Sequence, residues 1–438
     1  MSAPVQIAIA FASVAILLGL MAVVKRLASA REISPEVQRK LVHIGTGLYA
    51  LTLPWLFTDD WPVFMLVGLT LAVMLILRLP AFAKGGIGET LHGVERQSYG
   101  DLLLALAVGT VFLLADGRAI LYILPIATLT LADAAAALTG SRYGRKFFTV
   151  EDGQKSIEGS TAFFMITLVI SMVCLLLLTD VSRPSVILLA VMVAAFGTLV
   201  EADSWRGFDN FFLPAGLMVF LESHMNSPWQ DLIALIGMFM VAIVIFLRIA
   251  PQFGITKHAA RVYIISTFLL ISVTALQNTV LPLLVFVMHA IAHRINPCKA
   301  AYPALDIVAA VALASFGWLA IGLVAEANAL MYYGLMSVGL CVGFGAIALG
   351  KWPMWVRLGA AAMLGLGLFG LYSVLMLHNP TTVRWPGDMT LTGAVVIGSM
   401  ILAGSVRPAL FETHRAAKLT VLALLVPGFS YGIKVLGA

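Results

Sequence analysis

Charged residues are scarce in this chain. Only 11% of its 438 residues are Asp, Glu, Lys or Arg, 61% are hydrophobic, and the mean hydropathy is +1.00. A soluble globular protein carries about 25% charged residues, so this composition excludes that class and predicts a polytopic membrane protein. The polar connections between its apolar runs are short, and we expect no soluble domain.

Cysteines are fewer still. The three cysteines, Cys174, Cys298 and Cys341, lie far apart, and two of them fall within apolar runs. This spacing excludes a disulfide framework and a CxxC metal pair. The net charge of +5 does not indicate binding of nucleic acid, because the basic residues lie between the apolar runs rather than on one face.

Long apolar runs are what the chain has in abundance. The first, from Pro4 to Val24, is too long for a signal-peptide core and precedes Lys25 and Arg26, which favours a retained span. Hydropathy predicts an all-α protein with about sixteen transmembrane helices (roughly 14–16). They are expected near 4–24, 41–58, 60–79, 101–115, 118–139, 160–180, 184–202, 208–222, 229–249, 260–276, 279–293, 303–325, 329–349, 354–377, 389–405 and 416–436. The short segment 208–222 contains Pro214, and a re-entrant segment is the alternative there.

Basic residues fall mainly on every second connection of this segmentation. The exceptions among the 27 Lys and Arg residues are Arg118, Arg183, Arg384 and Lys434. By the positive-inside rule, the basic connections face the cytoplasm and both termini lie outside it. The connections that carry the polar motifs are therefore predicted on the cytoplasmic side, where nucleotides and Mg²⁺ are found. They are 25–40, 80–100, 139–159 and 203–207.

A polar link with Pro251 and Gly254 divides the chain near residues 250–257. Residues 1–252 carry acids and bases in or beside the predicted spans, whereas residues 253–438 carry few. We predict a first membrane domain that holds the chemistry and a second helical membrane domain of unknown role.

Two basic clusters lie at the predicted cytoplasmic ends of early spans. In the first, Arg39 and His43 are four residues apart and share a helix face, with Lys40 beside them. Anchoring by positive charge, with a snorkelling histidine, is the alternative for this cluster. In the second, Arg96 and Ser98 stand just before the fourth predicted span, where a helix cap is the plainer interpretation.

Residues 133–160 are the most informative stretch. Asp133 lies near the end of a span of Ala, Leu and Thr, where a carboxylate is costly and indicates function, with Lys155 or a metal as its expected partner. A structural ion pair is the alternative. A loop rich in glycine and base follows; glycines bring backbone amides close to a ligand, and Arg and Lys neutralise phosphate. Its glycines are Gly140, Gly144, Gly153 and Gly159.

An acidic cluster lies at the junction of two later spans. Glu201, Asp203, Asp209 and Asn210 stand there with one base, Arg206. Carboxylate and amide oxygens are the hard ligands that Mg²⁺ prefers, so the excess of acid predicts a Mg²⁺ subsite. A solvated loop is the alternative.

At these positions the chain resembles the polyprenol kinase family, which includes phytol kinase, dolichol kinase and CTP-dependent diacylglycerol kinase. The resemblance covers about residues 35–222, and its motifs stand in the family's order. They are Arg39-Lys40-x-x-His43, Arg96-x-Ser98-x-Gly100, Asp133-Ala-x-Ala-x-x-x-Gly140-x-x-x-Gly144, Lys155-Ser156-x-Glu158-Gly159-Ser160, and Glu201 with Asp209-Asn210-x-x-x-Pro214. The resemblance implies transfer of the γ-phosphoryl group of CTP, or of another nucleoside triphosphate, to a lipid alcohol at the cytoplasmic face. Ala132 stands where family members often have glycine.

Phosphoryl transfer requires positioning and charge neutralisation, and this requirement assigns the roles. The catalytic candidates are Asp133, Lys155, Glu158 and His43. Lys155 would hold the β- and γ-phosphates, and Asp133 is the favoured essential acid. A carboxylate or His43 would accept the alcohol proton. The metal-ligand candidates for Mg²⁺ (or Mn²⁺) are Asp133 and Glu158, then Glu201, Asp209 and Asn210. The nucleotide-binding candidates are Arg39, Lys40, Arg96, Ser98, Gly140, Arg142, Gly144, Arg145, Lys146, Ser156, Gly159 and Ser160. The stretch does not fit GxxxxGK[ST], so it is not a P-loop.

Two other functions remain open. A CTP:phosphatidate cytidylyltransferase would share the nucleotide, the Mg²⁺ and the membrane, but it attacks the α-phosphorus and releases pyrophosphate. A secondary transporter fits the helix count, although transporters usually carry functional charges near the bilayer midplane and show repeats. Phytol, geranylgeraniol, a polyprenol or dolichol, and diacylglycerol all stay open as the alcohol, as does the oligomeric state.

The second half has a polar cluster of its own. It is interpreted as loop residues around an added helical bundle, with a fused domain acting on the same lipid as the alternative. Its members are His289, His293, Arg294, Asn296, Lys299 and Asp306.

Overall fold

The computed structural model describes residues 1–78, 99–150, 153–253, 255–325, 327–379 and 388–436. Arg96 and Ser98, two of the nucleotide-binding candidates, lie outside the described residues. The chain forms two compact units, Met1–Val241 and Ala242–Ala438. The division falls within one helix, earlier than the predicted link at 250–257, and the role of each unit stays a prediction.

The first unit is a helical bundle. Its helices are α1 (Ala3–Ala30), α2 (Pro35–Leu51), α3 (Leu53–Leu56), α4 (Trp61–Leu77), α5 (Gly100–Ala115), α6 (Ala119–Ala127), α7 (Asp133–Tyr143), α8 (Ile157–Leu178), α9 (Arg183–Asp203) and α10 (Asp209–His224), and α11 (Trp229–Ile249) begins in it. α10 forms the core, since every residue from Leu213 to Leu221 is buried.

The apolar composition dictates these helices. No water inside a bilayer can satisfy backbone N–H and C=O groups, and a helix satisfies them internally. Proline opens α2 at Pro35, where its missing N–H costs nothing, and the Ser34 side chain caps the same helix by accepting from Val37 N.

Two irregular elements lie close together in sequence. A π-helical turn, Thr128–Ala132, joins α6 to α7, so that Ala119–Tyr143 is one apolar segment. A hairpin of β1 (Phe147–Val150) and β2 (Gly153–Ser156) then pairs antiparallel, with Phe148 opposite Lys155. The all-α prediction did not include this hairpin, because strands of four residues are too short to show a period in the sequence.

The second unit is also helical. Its helices are α12 (Lys257–Val273), α13 (Val280–Ile295), α14 (Pro303–Val324), α15 (Leu330–Ala348), α16 (Met354–Leu377), α17 (Thr390–Val406) and α18 (Arg415–Leu436). Short 3₁₀ turns lie at Ala250–Phe253, Leu276–Thr279 and Pro408–Phe411. α15 is its core, since every residue from Tyr332 to Ala348 is buried.

Within the described residues, ten helices are long and apolar enough to cross a membrane, and three shorter ones are also apolar. The chain is therefore a multi-pass membrane protein built of helices. Each predicted segment overlaps a helix, but sixteen spans are not confirmed. α2 shows why, because its 17 residues include Arg39, Lys40 and His43.

Candidate active site

A buried ion pair joins α2 to the start of α7. Lys40, on the second turn of α2, donates from Nζ to Asp133 Oδ2 at 2.6 Å, and both side chains are buried. Pairing is what makes either charge tolerable there, because an uncompensated buried charge is costly. Asp133 is therefore bound by Lys40, whereas Lys155 or a metal was the partner predicted from the sequence.

His43 lies one turn after Lys40 on α2. Its Nε2 lies 3.2 Å from the carbonyl oxygen of Leu129 and 3.4 Å from Asp133 Oδ2. Both neighbours are acceptors, so the proton of the neutral imidazole belongs on Nε2, and Nδ1 is left as the acceptor. Leu129 belongs to the π-helical turn, an element that recurs at functional sites.

Gly47 lets α2 approach the helix that carries Asp133. A β-carbon at this position would lie 2.1 Å from Thr130 Oγ1, a distance that real atoms do not reach. The two backbones can come this close because glycine has no side chain. Tyr122 of α6 adds a hydrogen bond to α2, since its hydroxyl donates to the carbonyl of Ala50 at 2.7 Å.

The hairpin carries Lys155 to the last turn of α9. Its Nζ donates to the backbone carbonyl of Glu201 at 2.8 Å and also to the Glu201 carboxylate. A cation is favoured at this end of a helix by the helix dipole. Burial alone would lower the pKa of Lys155, but the carboxylates of Glu201 and Asp209 outweigh it and hold the pKa above its usual range.

These groups form one electrostatic cluster, which we call the α2–α7–α9 cluster. It holds the acids Asp133, Glu201 and Asp209 and the bases Lys40, His43 and Lys155. Asp133 interacts electrostatically with Lys155 as well as with Lys40 and His43, and Asp209 interacts with both Lys155 and His43. Residues from four separated parts of the chain are thus brought to one place.

The side chains of this cluster do not form a complete site for a divalent metal. Among the described residues, no three His, Cys, Asp or Glu side chains are grouped so that they could hold a metal ion alone. Asp133 and Glu201 are engaged by lysines, and Asp209 is half-buried. Mg²⁺ is usually bound by one or two carboxylates together with substrate phosphates. The cluster therefore suits a Mg²⁺ ion that is bound partly by a nucleotide.

Glu158 and the loop bases lie around the hairpin. The Glu158 carboxylate accepts hydrogen bonds from the backbone N–H groups of Arg145, at 3.0 Å, and Lys146, at 3.3 Å. It thereby holds the loop between α7 and β1. The side chains of Arg142, Arg145 and Lys146 are exposed and add positive charge to the same surface.

The motif glycines pack α7 against the start of α8. A β-carbon at Gly140 would lie 2.7 Å from Ser156 Oγ, and one at Gly159 would lie 2.9 Å from the carbonyl oxygen of Ala136. Ser156 caps α8 by accepting from Gly159 N at 3.0 Å. A β-carbon at Gly144 would likewise lie 2.4 Å from the carbonyl oxygen of Gly140. Close packing explains these glycines in the structure, and a role in holding phosphate stays a prediction.

Asn210 connects the acidic cluster to α5. Its Nδ2 donates to the carbonyl of Gly100 at 2.7 Å, and Tyr99 N donates to the Arg206 carbonyl at 3.0 Å. With its amide group committed to the backbone in this way, Asn210 has a structural role as well as its proposed one.

An apolar pocket opens beside His43, between α1, α2, α4 and α5. Its empty space, about 1100 Å³, includes open solvent at its mouth. Arg39, His43, Asp101 and Asn210 line one end, and most of the remaining wall is aliphatic. Asp101 is itself paired with Arg78. This pocket could not be predicted from the sequence, because its walls come from helices that are separate in sequence.

The comparisons with known proteins agree with this picture. The phytol kinase of Synechocystis sp. (strain ATCC 27184 / PCC 6803 / Kazusa) is 33% identical over 221 residues, which are 49% of this chain and 91% of that enzyme. No family model matches the chain, and no solved structure matches it. Because nearly the whole of that kinase is covered at this identity, the chain belongs to the polyprenol kinase family, whose members are lipid-alcohol kinases.

Proposed function

We propose that this protein transfers the γ-phosphoryl group of a nucleoside triphosphate, CTP foremost, to a lipid alcohol at the cytoplasmic face of a membrane. The α2–α7–α9 cluster is the observation that carries the proposal. A buried Lys40–Asp133 pair with His43 beside it lies within electrostatic reach of Lys155. Buried charges of this kind in a membrane protein indicate function.

The nucleotide would bind on the side of the hairpin. Lys155 is cationic and partly exposed, so it can hold the β- and γ-phosphates as charge develops on them. The exposed side chains of Arg142, Arg145 and Lys146 would add to this positive surface. Magnesium, when bound with the nucleotide, would neutralise phosphate charge, with the half-buried Asp209 as its protein oxygen ligand, because Asp133 and Glu201 are engaged by lysines.

The alcohol would react on the side of α2. Its oxygen attacks the γ-phosphorus, the new O–P bond forms as the bond to the β-phosphate oxygen breaks, and the nucleoside diphosphate leaves. His43 lines the apolar pocket and has Nδ1 as its acceptor, so it would take the alcohol proton. Asp133 is essential in this scheme because it holds Lys40 and His43 in place.

The test is a turnover assay with the purified full chain in lipid nanodiscs. CTP, ATP, GTP and UTP, each labelled at the γ-phosphate, are offered with phytol, geranylgeraniol, a polyprenol and diacylglycerol. We expect a labelled lipid phosphate and an unlabelled nucleoside diphosphate. Label from an α-labelled nucleotide in the lipid, with release of pyrophosphate, would instead identify a cytidylyltransferase and overturn the proposal.

Asp133→Asn supplies the site control. This variant should lose activity, whereas Asp116→Asn should not, because Asp116 is exposed and ends α5 in a left-handed conformation that asparagine also tolerates. Wild-type turnover by purified Asp133→Asn would show that the site is assigned wrongly.

A further inference from the structure

The apolar pocket between α1, α2, α4 and α5 adjoins the α2–α7–α9 cluster at one residue, His43. His43 lines the pocket and also places Nε2 at 3.4 Å from Asp133 Oδ2. An apolar ligand with one polar end would therefore put that end beside the buried ion pair. An ordinary gap between membrane helices has no such polar end.

The pocket runs along α2 from its polar start to its apolar end. Arg39 and His43 line the mouth, and Ala50 and Leu53 line the other end. At about 1.5 Å per residue, the stretch of α2 from Arg39 to Ala50 is about 16 Å long. One leaflet of the hydrocarbon core is about 15 Å thick, so a tail that fills the pocket would span about one leaflet.

Two of the polar side chains along the wall are satisfied by the protein. The Tyr49 hydroxyl donates to Ser13 Oγ, and the Thr70 hydroxyl donates to the Leu66 carbonyl at 2.8 Å. These groups do not require a polar ligand, and the interior suits a hydrocarbon chain. The four polar side chains gathered at the mouth suit a single hydroxyl there.

We propose that Ala50 and Ala105, two small buried side chains of the pocket wall, set the length of the single hydrocarbon tail that this pocket accepts. The proposal rests on the proposed kinase function and names its substrate class. One tail fits one elongated pocket with one polar mouth, which favours a single-chain alcohol over the two-chain diacylglycerol.

Ala105 lies near the mouth, five residues after Gly100 on α5, and Ala50 lies near the far end, eleven residues after Arg39 on α2. A phenylalanine at Ala50 would shorten the pocket from its far end, and one at Ala105 would narrow it nearer the mouth. Both alanines are at most 9% exposed.

The experiment measures KM and kcat for alcohols of two, three and four isoprene units. We expect Ala50→Phe to raise KM for the longest alcohol roughly tenfold while leaving the shortest nearly unchanged, and Ala105→Phe to raise KM for all three. Ala12→Phe, at an exposed position of α1 outside the pocket, should leave all three unchanged. An unchanged length profile in both pocket variants would overturn the proposal.

A binding measurement separates this inference from the function. A geranylgeraniol analogue with a diazirine at the end of its tail is photolysed with the wild-type chain in nanodiscs, and the labelled peptides are mapped by mass spectrometry. Label at Leu53 or Leu66 is expected, whether or not any alcohol is phosphorylated. Labelling elsewhere would overturn the assignment of this pocket to the alcohol tail. Displacement of the probe by a two-chain phospholipid but not by free geranylgeraniol would overturn it as well. In either case the kinase assay still decides the function.

Discussion

Lys40 Nζ lies 2.6 Å from Asp133 Oδ2, although 93 residues separate the two in the chain, and their side chains are only 7% and 4% exposed. Removal of one partner from a buried pair leaves the other charge uncompensated, whereas replacement of both partners by apolar groups can be nearly neutral. The stability and the chemistry of this pair can therefore be separated by mutation.

We expect Lys40→Met to lower the free energy of unfolding by about 3–5 kcal/mol. Lys40→Met combined with Asp133→Leu should recover most of that loss and have no activity. Thermal unfolding in detergent and the γ-label assay measure the two effects. Arg118→Met, which breaks the exposed Arg118–Glu222 pair, is the control and should cost about 1 kcal/mol or less. Equal stability of Lys40→Met and Arg118→Met would contradict the assignment of a buried pair.

Lys155→Ala should reduce kcat by roughly 100-fold or more, because it removes a cation from the proposed phosphate site. Lys299→Ala is its matched control. Lys299 also pairs with a glutamate, Glu412, but this pair is largely exposed and lies in the other compact unit. We expect Lys299→Ala to keep wild-type kcat, and a similar loss in both variants would indicate a general effect on the protein.

The raised pKa of Lys155 predicts how activity depends on pH. Lysine ordinarily titrates near about pH 10.4, and the carboxylates of Glu201 and Asp209 raise the pKa further. The attraction between the Lys155 cation and these carboxylates is therefore fully present below the ordinary pKa of lysine. It is lost only as pH rises through the raised pKa of Lys155. Turnover should show no loss from this group between pH 7 and pH 9. A loss of turnover between pH 7 and pH 9 that moves to higher pH in Lys155→Arg would disagree with the structure.

Gly47→Ala should destabilise the protein by about 1–3 kcal/mol, because its β-carbon would overlap Thr130 Oγ1 and force α2 away from the π-helical turn. Activity should fall with stability, since α2 carries Lys40 and His43. Gly19→Ala is the matched control, because nothing lies within 4 Å of a β-carbon there. The measurement is the thermal unfolding midpoint of the two variants. Equal midpoints would refute the close approach of α2 to the π-helical turn.

Glu158→Gln tests whether this residue holds the loop or a metal. Glutamine keeps an oxygen that can accept from the N–H groups of Arg145 and Lys146, so we expect a small loss of stability and turnover close to wild type. Asp133→Asn, by contrast, should abolish turnover. Loss of activity in Glu158→Gln, with a higher Mg²⁺ requirement, would restore the metal-ligand role predicted from the sequence.

The positions of the helices could be predicted from the sequence because each one is an apolar run between polar connections. Asp133 could be found for a similar reason, since a carboxylate stands out against alanine and leucine. Its partner could not be found, because the Lys40 contact depends on how α2 packs against α7. The glycine pattern was ambiguous in a different way, since close helix packing and close approach of a ligand both require a missing side chain.

The π-helical turn at Thr128–Ala132 has a consequence for how such a site can arise and be lost. A π-helical turn holds about one more residue per turn than an α-helix, which turns by about 100° for each residue. The same residues wound as regular α-helix would therefore turn Asp133 by about that angle about the helix axis. The carboxylate would then leave Lys40 and His43 and face whatever lies beside the helix, with the composition of the segment unaltered. The winding of one turn, rather than any side chain, separates an ordinary apolar helix from one that presents an acid to a basic partner.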